Sequence, residues 1–366
     1  MRNIAIYLAD IKGFHGIGEV ERCIASGIAK RATELKEKHS ISFTFIVPKT
    51  EVGKYGNDIE YMEISNMTVK LINSVFSGII RKMFLPHFDL IHLTHQYSKF
   101  HRSIASNTLV TIHDINFVHN GNSSSRAMRR RAHRIKRIEK IATHMSFISD
   151  FTYRDVMEHF PFCKPYKIIK NGSQDWTTLK RQEIEGLPKD FLFHISDAGE
   201  KKNVHLLVEM MRYLPQENLV IAGATDPINR KRITDIIDNH ALKNVTLLGR
   251  VSDEEKAFLL DRCKCFLFPS RSEGFGLPVI EAMCFGKPVV ISKLTSLPEI
   301  GGDIAYYFDE LEPEAMATKT ITSCKDFYSN EQQNAEATTN HAHSFSWEKA
   351  VDEYIQYYVE IIDSVV

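Results

Sequence analysis

The chain is short of several features, and each shortage excludes something. No apolar run approaches the ~18–20 residues a membrane-spanning helix needs, so none is expected. Six cysteines in 366 residues are scattered at Cys23, Cys163, Cys263, Cys265, Cys284 and Cys324. Only Cys263 and Cys265 are close together, and without a second pair they make no zinc-finger pattern. They read as small apolar residues of a core strand running to Pro269. No signal-peptide pattern precedes the strand-like Ile4–Leu8, so a reducing, cytoplasmic setting is expected. Solenoid repeats and low-complexity tracts are also missing, and 43% apolar with 10% aromatic residues is ordinary globular composition.

Net charge is missing too, with 46 basic against 46 acidic residues. That balance conceals an asymmetry. Residues 1–170 hold 26 Lys and Arg against 15 Asp and Glu, whereas residues 171–366 hold 20 against 31. Either two domains differ in surface charge for no functional reason, or the basic half meets an anionic surface or substrate.

What is present is an alternation of short apolar runs with longer helical patterns, which predicts βαβ units and a mainly parallel sheet. Strand-like runs at 3–8, 42–47, 90–93, 108–112, 145–148 and 166–169 form a first series. A second covers 191–195, 218–222, 245–248, 265–268, 288–291 and 305–308. Between them 171–190 is polar, holds Gly172, Gly186 and Pro188, and reads as a linker. Two Rossmann-like domains of about equal size follow.

The most informative segment runs from Pro269 to Ala282, PSRSEGFGLPVIEA. A buried strand enters a glycine-containing loop and then a helix starting near Leu277 and Pro278, where proline suits the first turn. Gly274 and Gly276 let backbone approach a ligand, and the helix N-terminus offers free N–H groups to a phosphate. Glu273 and Glu281 could accept from one polyhydroxyl ligand. Four further segments stand out. Gly16-Ile-Gly18 lies between the first strand and first helix, though without the third glycine of a dinucleotide fingerprint. His113-Asp114 ends a buried strand, where a parallel sheet opens its ligand crevice; Asp114 caps the next turn or orients His113. Lys201-Lys202 opens a helix, and Ser252 with Glu255 makes a capping box.

The string Glu273-GFGLPVI-Glu281 resembles the E-x7-E signature of the retaining, nucleotide-sugar-dependent glycosyltransferases of family 4, the group 1 glycosyltransferases. So do Ala282–Val290, Leu297–Asp303 and the closing Phe345-Ser-Trp347; the likeness is most specific over 245–310. It implies an α/β GT-B fold: two facing Rossmann-like domains, with 1–172 as acceptor domain, 173–345 as nucleotide-sugar donor domain, and 346–366 as a helix packing back on the N-terminal domain. By resemblance Lys202 grips the donor diphosphate, Glu273 holds the sugar, Glu281 holds the ribose, and His113 lies near the transferred sugar. Gly16, Gly18, Lys201, Arg250, Val251, Phe275, Gly276 and Leu277 join the donor site. The family arginine falls at Ser196 or Asp197 here, so Lys201 or helix dipoles must take over its charge. Asn171-Gly172 matches a junction turn of the family, and a simple turn explains it equally well.

The resemblance implies transfer of a hexose with retention, first mannose from GDP-mannose, to a lipid-linked, lipopolysaccharide, O-antigen or capsule glycan. A UDP- or ADP-sugar donor, a GT-B-like epimerase or phosphorylase, and a non-catalytic nucleotide-sugar-binding subunit are the alternatives. No cofactor or metal is expected, because Asp-x-Asp is absent from the chain. The acceptor side is expected to be the basic half. Arg126, Arg129, Arg130, Arg131, Arg134, Lys136, Arg137 and Lys140 interleave with apolar residues at helical spacing, as does the lightly basic Val69–Phe84. Either reads as a contact with the anionic inner face of the cell membrane, or as an ordinary helix face. Nucleic acid is not an expected partner, since the basic run lacks interleaved aromatics.

Overall fold

The computed structural model describes residues 1–13, 16–73, 86–100, 102–119 and 125–364. It divides into two compact units, Met1–Gly172 with Ser346–Val366, and Ser173–Phe345. Most of the apolar segment at 69–84 lies outside the described residues; its first part, to Asn73, is helical.

The first unit comprises β1 (Arg2–Tyr7), α1 (Gly16–His39), β2 (Ile41–Val47), β3 (Ile59–Glu63), α2 (Asn66–Asn73), β4 (Phe88–Leu93), β5 (Ala105–Ile112), α3 (Ser125–Ile141), β6 (His144–Phe147), α4 (Asp150–His159) and β7 (Tyr166–Ile168). Its strands form one parallel sheet in the order β3-β2-β1-β4-β5-β6-β7. Every residue of β2 is buried, as expected of a parallel strand covered on both faces. The edge strand β3, IEYME, is too polar to stand out in the sequence.

The second unit comprises β8 (Leu192–Ile195), α5 (Val204–Met210), β9 (Leu219–Ala222), α6 (Pro227–Asn239), β10 (Val245–Gly249), α7 (Asp253–Arg262), β11 (Cys265–Phe268), α8 (Leu277–Cys284), β12 (Val289–Ser292), α9 (Leu297–Gly301), β13 (Tyr306–Phe308), α10 (Pro313–Ser329) and α11 (Glu331–His343). Its parallel order is β10-β9-β8-β11-β12-β13. Cys263 and Cys265 are buried with free thiols, as small core residues.

The chain then returns to the first unit as α12 (Trp347–Asp363). Ala350, Val351, Tyr354, Tyr357, Tyr358 and Ile361 bury one stripe of it against α1 and β4. A Cβ on Gly27 of α1 would lie 2.6 Å from Val351, so glycine permits this close crossing. The buried His92 shares hydrogen bonds of 2.7 Å with the Tyr358 and Thr111 hydroxyls. Burial pushes its pKa down to about 3, so the imidazole is neutral. Asn171-Gly172 is more than a turn: a Cβ on Gly172 would lie 2.1 Å from the Trp347 backbone nitrogen.

Two expectations need correcting. The stretch read as a linker is not solvated throughout, because Trp176 is 3% exposed and packs into the second unit. The charge asymmetry is also smaller by unit than by sequence halves. The acidic α12 belongs to the first unit, which carries 27 basic and 20 acidic residues against 19 and 26 in the second.

Candidate functional site

In the second unit the strand order reverses between β8 and β11. Such a switch point opens a crevice at the carboxyl ends of the strands. The segments leaving those two strands are tied together there. The Asn203 side-chain amide donates to the Pro269 carbonyl at 2.9 Å, and the Arg271 N–H donates to the Lys201 carbonyl at 2.7 Å. This pairing sets Lys202 Nζ 2.5 Å from Glu273 Oε1, with the ammonium 5.1 Å above the Phe268 ring. Both side chains are nearly buried, 13% and 11% exposed. Burial alone would raise the Glu273 pKa. Lys202 and Lys201 outweigh it, helped by hydrogen bonds from Lys202 and Ser270, and hold the carboxyl below its ordinary value.

The loop carrying Glu273 is braced from the turn before α9. The Thr295 hydroxyl accepts from the Glu273 N–H at 3.0 Å, and Ser296 Oγ lies 3.1 and 2.7 Å from the Glu273 and Phe275 carbonyls. Gly276 has φ +118°, and a Cβ there would lie 2.8 Å from Leu297, so only glycine serves. Helix α8 then starts at Leu277 with proline in its first turn. Phe275, Gly276, Leu277 and Glu281 therefore sit on one loop–helix junction, as read from the sequence.

Glu281 is 2% exposed, and its Oε2 lies 2.6 Å from Lys256 Nζ of α7. The ammonium sits 4.1 Å from the Trp176 ring centroid. Sequence reasoning did not single out Lys256, and it placed Trp176 within the stretch read as a linker. Arg250 and Val251 follow β10, exposed and half-buried. Both bonds of the capping box between Ser252 and Glu255 then start α7.

Ser196 and Asp197 spend their side chains on the turn after β8. Ser196 Oγ accepts from the Ala198 N–H at 3.0 Å, and Asp197 accepts from the Gly199 N–H at 3.1 Å. The basic groups of this loop are thus Lys201 and Lys202.

In the first unit the order reverses between β1 and β4. A Cβ on Gly18 would fall 2.2 Å from the Gly13 carbonyl oxygen, whereas one on Gly16 meets nothing within 4 Å. Gly18 is thus a packing requirement, and Gly16 leaves open space at the helix start. His113 follows β5 and is 5% exposed. Its Nε2–H donates to the Thr94 carbonyl at 2.8 Å, and its backbone N–H donates to Gln96 Oε1 at 3.1 Å. Burial lowers its pKa, so the ring is neutral near pH 7. Asp114 caps the following turn through the Asn116 N–H at 3.0 Å.

Beside this switch point lies a second group that sequence reasoning missed. Glu21 is fully buried and accepts from Thr94 Oγ1 at 2.7 Å and from the Asp10 N–H at 2.8 Å. Burial pushes its pKa up to about 8. His95 Nε2 lies 3.3 Å from the Asp10 carboxylate. The available signal was a glutamate on the face of α1 that buries Val20 and Ile24.

Residues 176–355 match a family model described as glycosyl transferases group 1. O-antigen chain mannosyltransferase B of Escherichia coli is 27% identical over 227 residues, which are 60% of this chain and 54% of that protein. Serotype-specific mannosyltransferase WbdA of Escherichia coli is 30% identical over 203 residues, 52% of this chain and 24% of the relative. The chain thus spans about half of one curated relative and a quarter of the other. The crystal structure of HepE from Anabaena in complex with UDP and glucose superposes with a TM-score of 0.70, covering 98% of this chain and all of that one at 17% identity. That likeness concerns the fold, GT-B with two Rossmann-like units.

Proposed function

We propose, from the match of residues 176–355 to the group 1 glycosyl transferases, that this chain is a member of that family and transfers a hexose, first mannose from GDP-mannose, with retention, to a lipid-linked or lipopolysaccharide, O-antigen or capsule glycan. The observation that carries the reading is the Lys202–Glu273 pair at the switch point of the second unit, beside the N-terminus of α8. The mannose and O-antigen parts rest on the names of the two Escherichia coli relatives. The UDP in the Anabaena complex supports a UDP-sugar as the second donor candidate.

In this reading the leaving nucleoside diphosphate is the charge to be stabilised. Lys202 and Lys201 supply cations, and the N–H groups of Phe275, Gly276 and Leu277 supply oriented dipoles. Glu273 stays ionised and accepts from sugar hydroxyls while steering Lys202. Glu281 accepts from the ribose, and backbone at Arg250 and Val251 meets the base. His113, neutral with Nε2–H held by Thr94, keeps an unprotonated Nδ1 for the sugar or acceptor. No side chain is assigned as general base, since with retention by front-face attack the departing phosphate takes the acceptor's proton. Neither residue at the expected arginine position is basic, which favours the non-catalytic subunit as the rival reading.

The membrane part of the proposal changes character with the fold. Ile135 and Ile138 of α3 are buried in the core, while Arg126, Arg129, Arg130, Arg131, Arg134, Lys136 and Lys140 are exposed. The helix therefore presents charge without an apolar face to insert. Adsorption to anionic lipid would be electrostatic and weakened by salt.

The test is a melting-temperature screen against GDP-, UDP-, ADP- and dTDP-sugars, followed by transfer to membrane-extract acceptors. A donor at 100 times its Kd should add about 2.7 kcal/mol of stability. Glu273→Gln should remove transfer while the fold persists. Transfer that survives Glu273→Gln rejects the assignment of the Lys202–Glu273 pair to the site, and no turnover of any nucleotide sugar rejects the enzyme reading.

A further inference from the structure

The pair between Glu281 and Lys256 is unusual for where it lies. Two opposite charges are buried together in the second unit, 2% and 15% exposed, at 2.6 Å. Such a pair costs desolvation of both ions, so by itself it is weak evidence of a stabilising role. The ammonium also lies over the Trp176 indole at 4.1 Å. Trp176 is 3% exposed and lies in the short helical turn Trp176–Thr178. Three separate segments therefore converge on one ion pair: the turn at 176–178, helix α7 and helix α8.

Each of those segments is itself fixed. The capping box at Ser252 sets the start of α7 directly after Arg250 and Val251. Gly276 and the serine brace at Ser296 set the start of α8. A carboxylate on the second turn of α8 would otherwise keep its own side-chain freedom. An ammonium 2.6 Å from Oε2 restricts how that carboxylate can turn.

The geometry points to Lys256, seated on Trp176, as a positioning residue that orients the Glu281 carboxylate toward the ribose hydroxyls of a bound nucleotide. This rests on the donor-site reading above, in which Glu281 meets the ribose. Lys256 does not touch the nucleotide; it acts through Glu281. Pre-orienting an acceptor spares the ligand the cost of ordering it, so the effect falls on nucleotide affinity.

The experiment is calorimetric titration of the full chain with GDP and UDP and with their 2′,3′-dideoxy counterparts, for the parent, Lys256→Met, Lys256→Arg and Trp176→Phe. Removing the cation of this ion pair should weaken the ribonucleotide roughly ten- to a hundredfold in Lys256→Met. Lys256→Arg should recover most of the affinity. The dideoxy nucleotide should bind parent and Lys256→Met within about twofold of each other, a difference below 0.5 kcal/mol. An equal loss for both sugars would overturn the inference and leave Lys256 with a structural role only. Unchanged ribonucleotide binding in Lys256→Met would overturn it as well. If Lys256→Met fails to fold, Trp176→Phe carries the same comparison, with a loss confined to the ribonucleotide expected, and a loss that ignores the ribose hydroxyls again overturns it. If the parent binds neither GDP nor UDP, the donor-site reading falls, and this inference with it. Binding without any transfer would reject the transferase reading alone.

Discussion

Replacing Lys202 by methionine isolates what the central ion pair contributes. Methionine keeps most of the side-chain volume against Phe268 but leaves the Glu273 carboxylate buried without its cation. Removing one partner of a buried pair costs about 3–5 kcal/mol. Because the two side chains are still 13% and 11% exposed, the lower end, ~3 kcal/mol, is expected. For a unit of this size, ~3 kcal/mol corresponds to a melting temperature lower by about 6–12 °C. The loss must depend on pH. In the folded parent the Glu273 carboxyl is held below its ordinary value, so its contribution is complete above the unfolded carboxyl's pKa and is lost as pH falls through the folded one. In Lys202→Met burial dominates and raises the carboxyl, which takes up a proton as the solution is acidified. The gap between parent and variant should be widest near neutral pH and close toward about pH 4. Adding Glu273→Gln to Lys202→Met should restore part of the stability at neutral pH, because no buried charge remains. Calorimetric melts of parent, single and double variants across that range provide the assay. A melting difference that does not vary with pH, or a double variant as unstable as Lys202→Met, would refute the account of this pair.

Two further outcomes follow from the geometry. Gly18→Ala should lower the melting temperature sharply, because its Cβ would sit 2.2 Å from the Gly13 carbonyl oxygen, while Gly16→Ala, in open space, should leave the melt nearly unchanged. Replacing Arg129, Arg130 and Arg134 of α3 by glutamine should weaken binding to vesicles containing anionic phosphatidylglycerol by about 3 kcal/mol at low salt, close to 1 kcal/mol per cation, and the difference should vanish at high salt; equal binding by parent and variant would remove α3 from the membrane contact.

Much of this protein was legible before folding because it is written in local patterns. The two strand series were visible because buried parallel strands are continuous apolar runs. Among the described residues, the strand overlooked is β3, whose IEYME composition suits a half-exposed edge. The start of α8 was legible because Pro278 and the glycines mark it, and Gly276 does have the left-handed φ that its sequence position suggested. The capping box at Ser252 is wholly local, and both of its bonds are present. By contrast, Asn171-Gly172 looked like a simple turn because the backbone it must admit, at Trp347, is far away in sequence.

The partners of the site residues could not be read in the same way. Lys202 and Glu273 meet only because the crossover of the sheet sets β8 beside β11, 71 positions apart in the chain. Lys256 reaches Glu281 only because α7 and α8 pack side by side. The Thr94 hydroxyl and the Asp10 N–H both donate to Glu21 only because β1 and β4 are neighbours. The basic helix α3 could be recognised as amphipathic, but not which face would be left for solvent; the core takes its isoleucines and leaves its cations outside.

The amino-acid sequence by itself determined the element pattern, the two-unit organisation and the loop–helix that carries Glu273 and Glu281, because these follow from short-range periodicity, steric needs of the backbone and helix-end chemistry. Tertiary structure alone decided which cation faces which carboxylate, which lysine is buried and which histidine is held neutral. Those outcomes depend on distance and exclusion of water, and neither exists until strands far apart in the chain lie side by side.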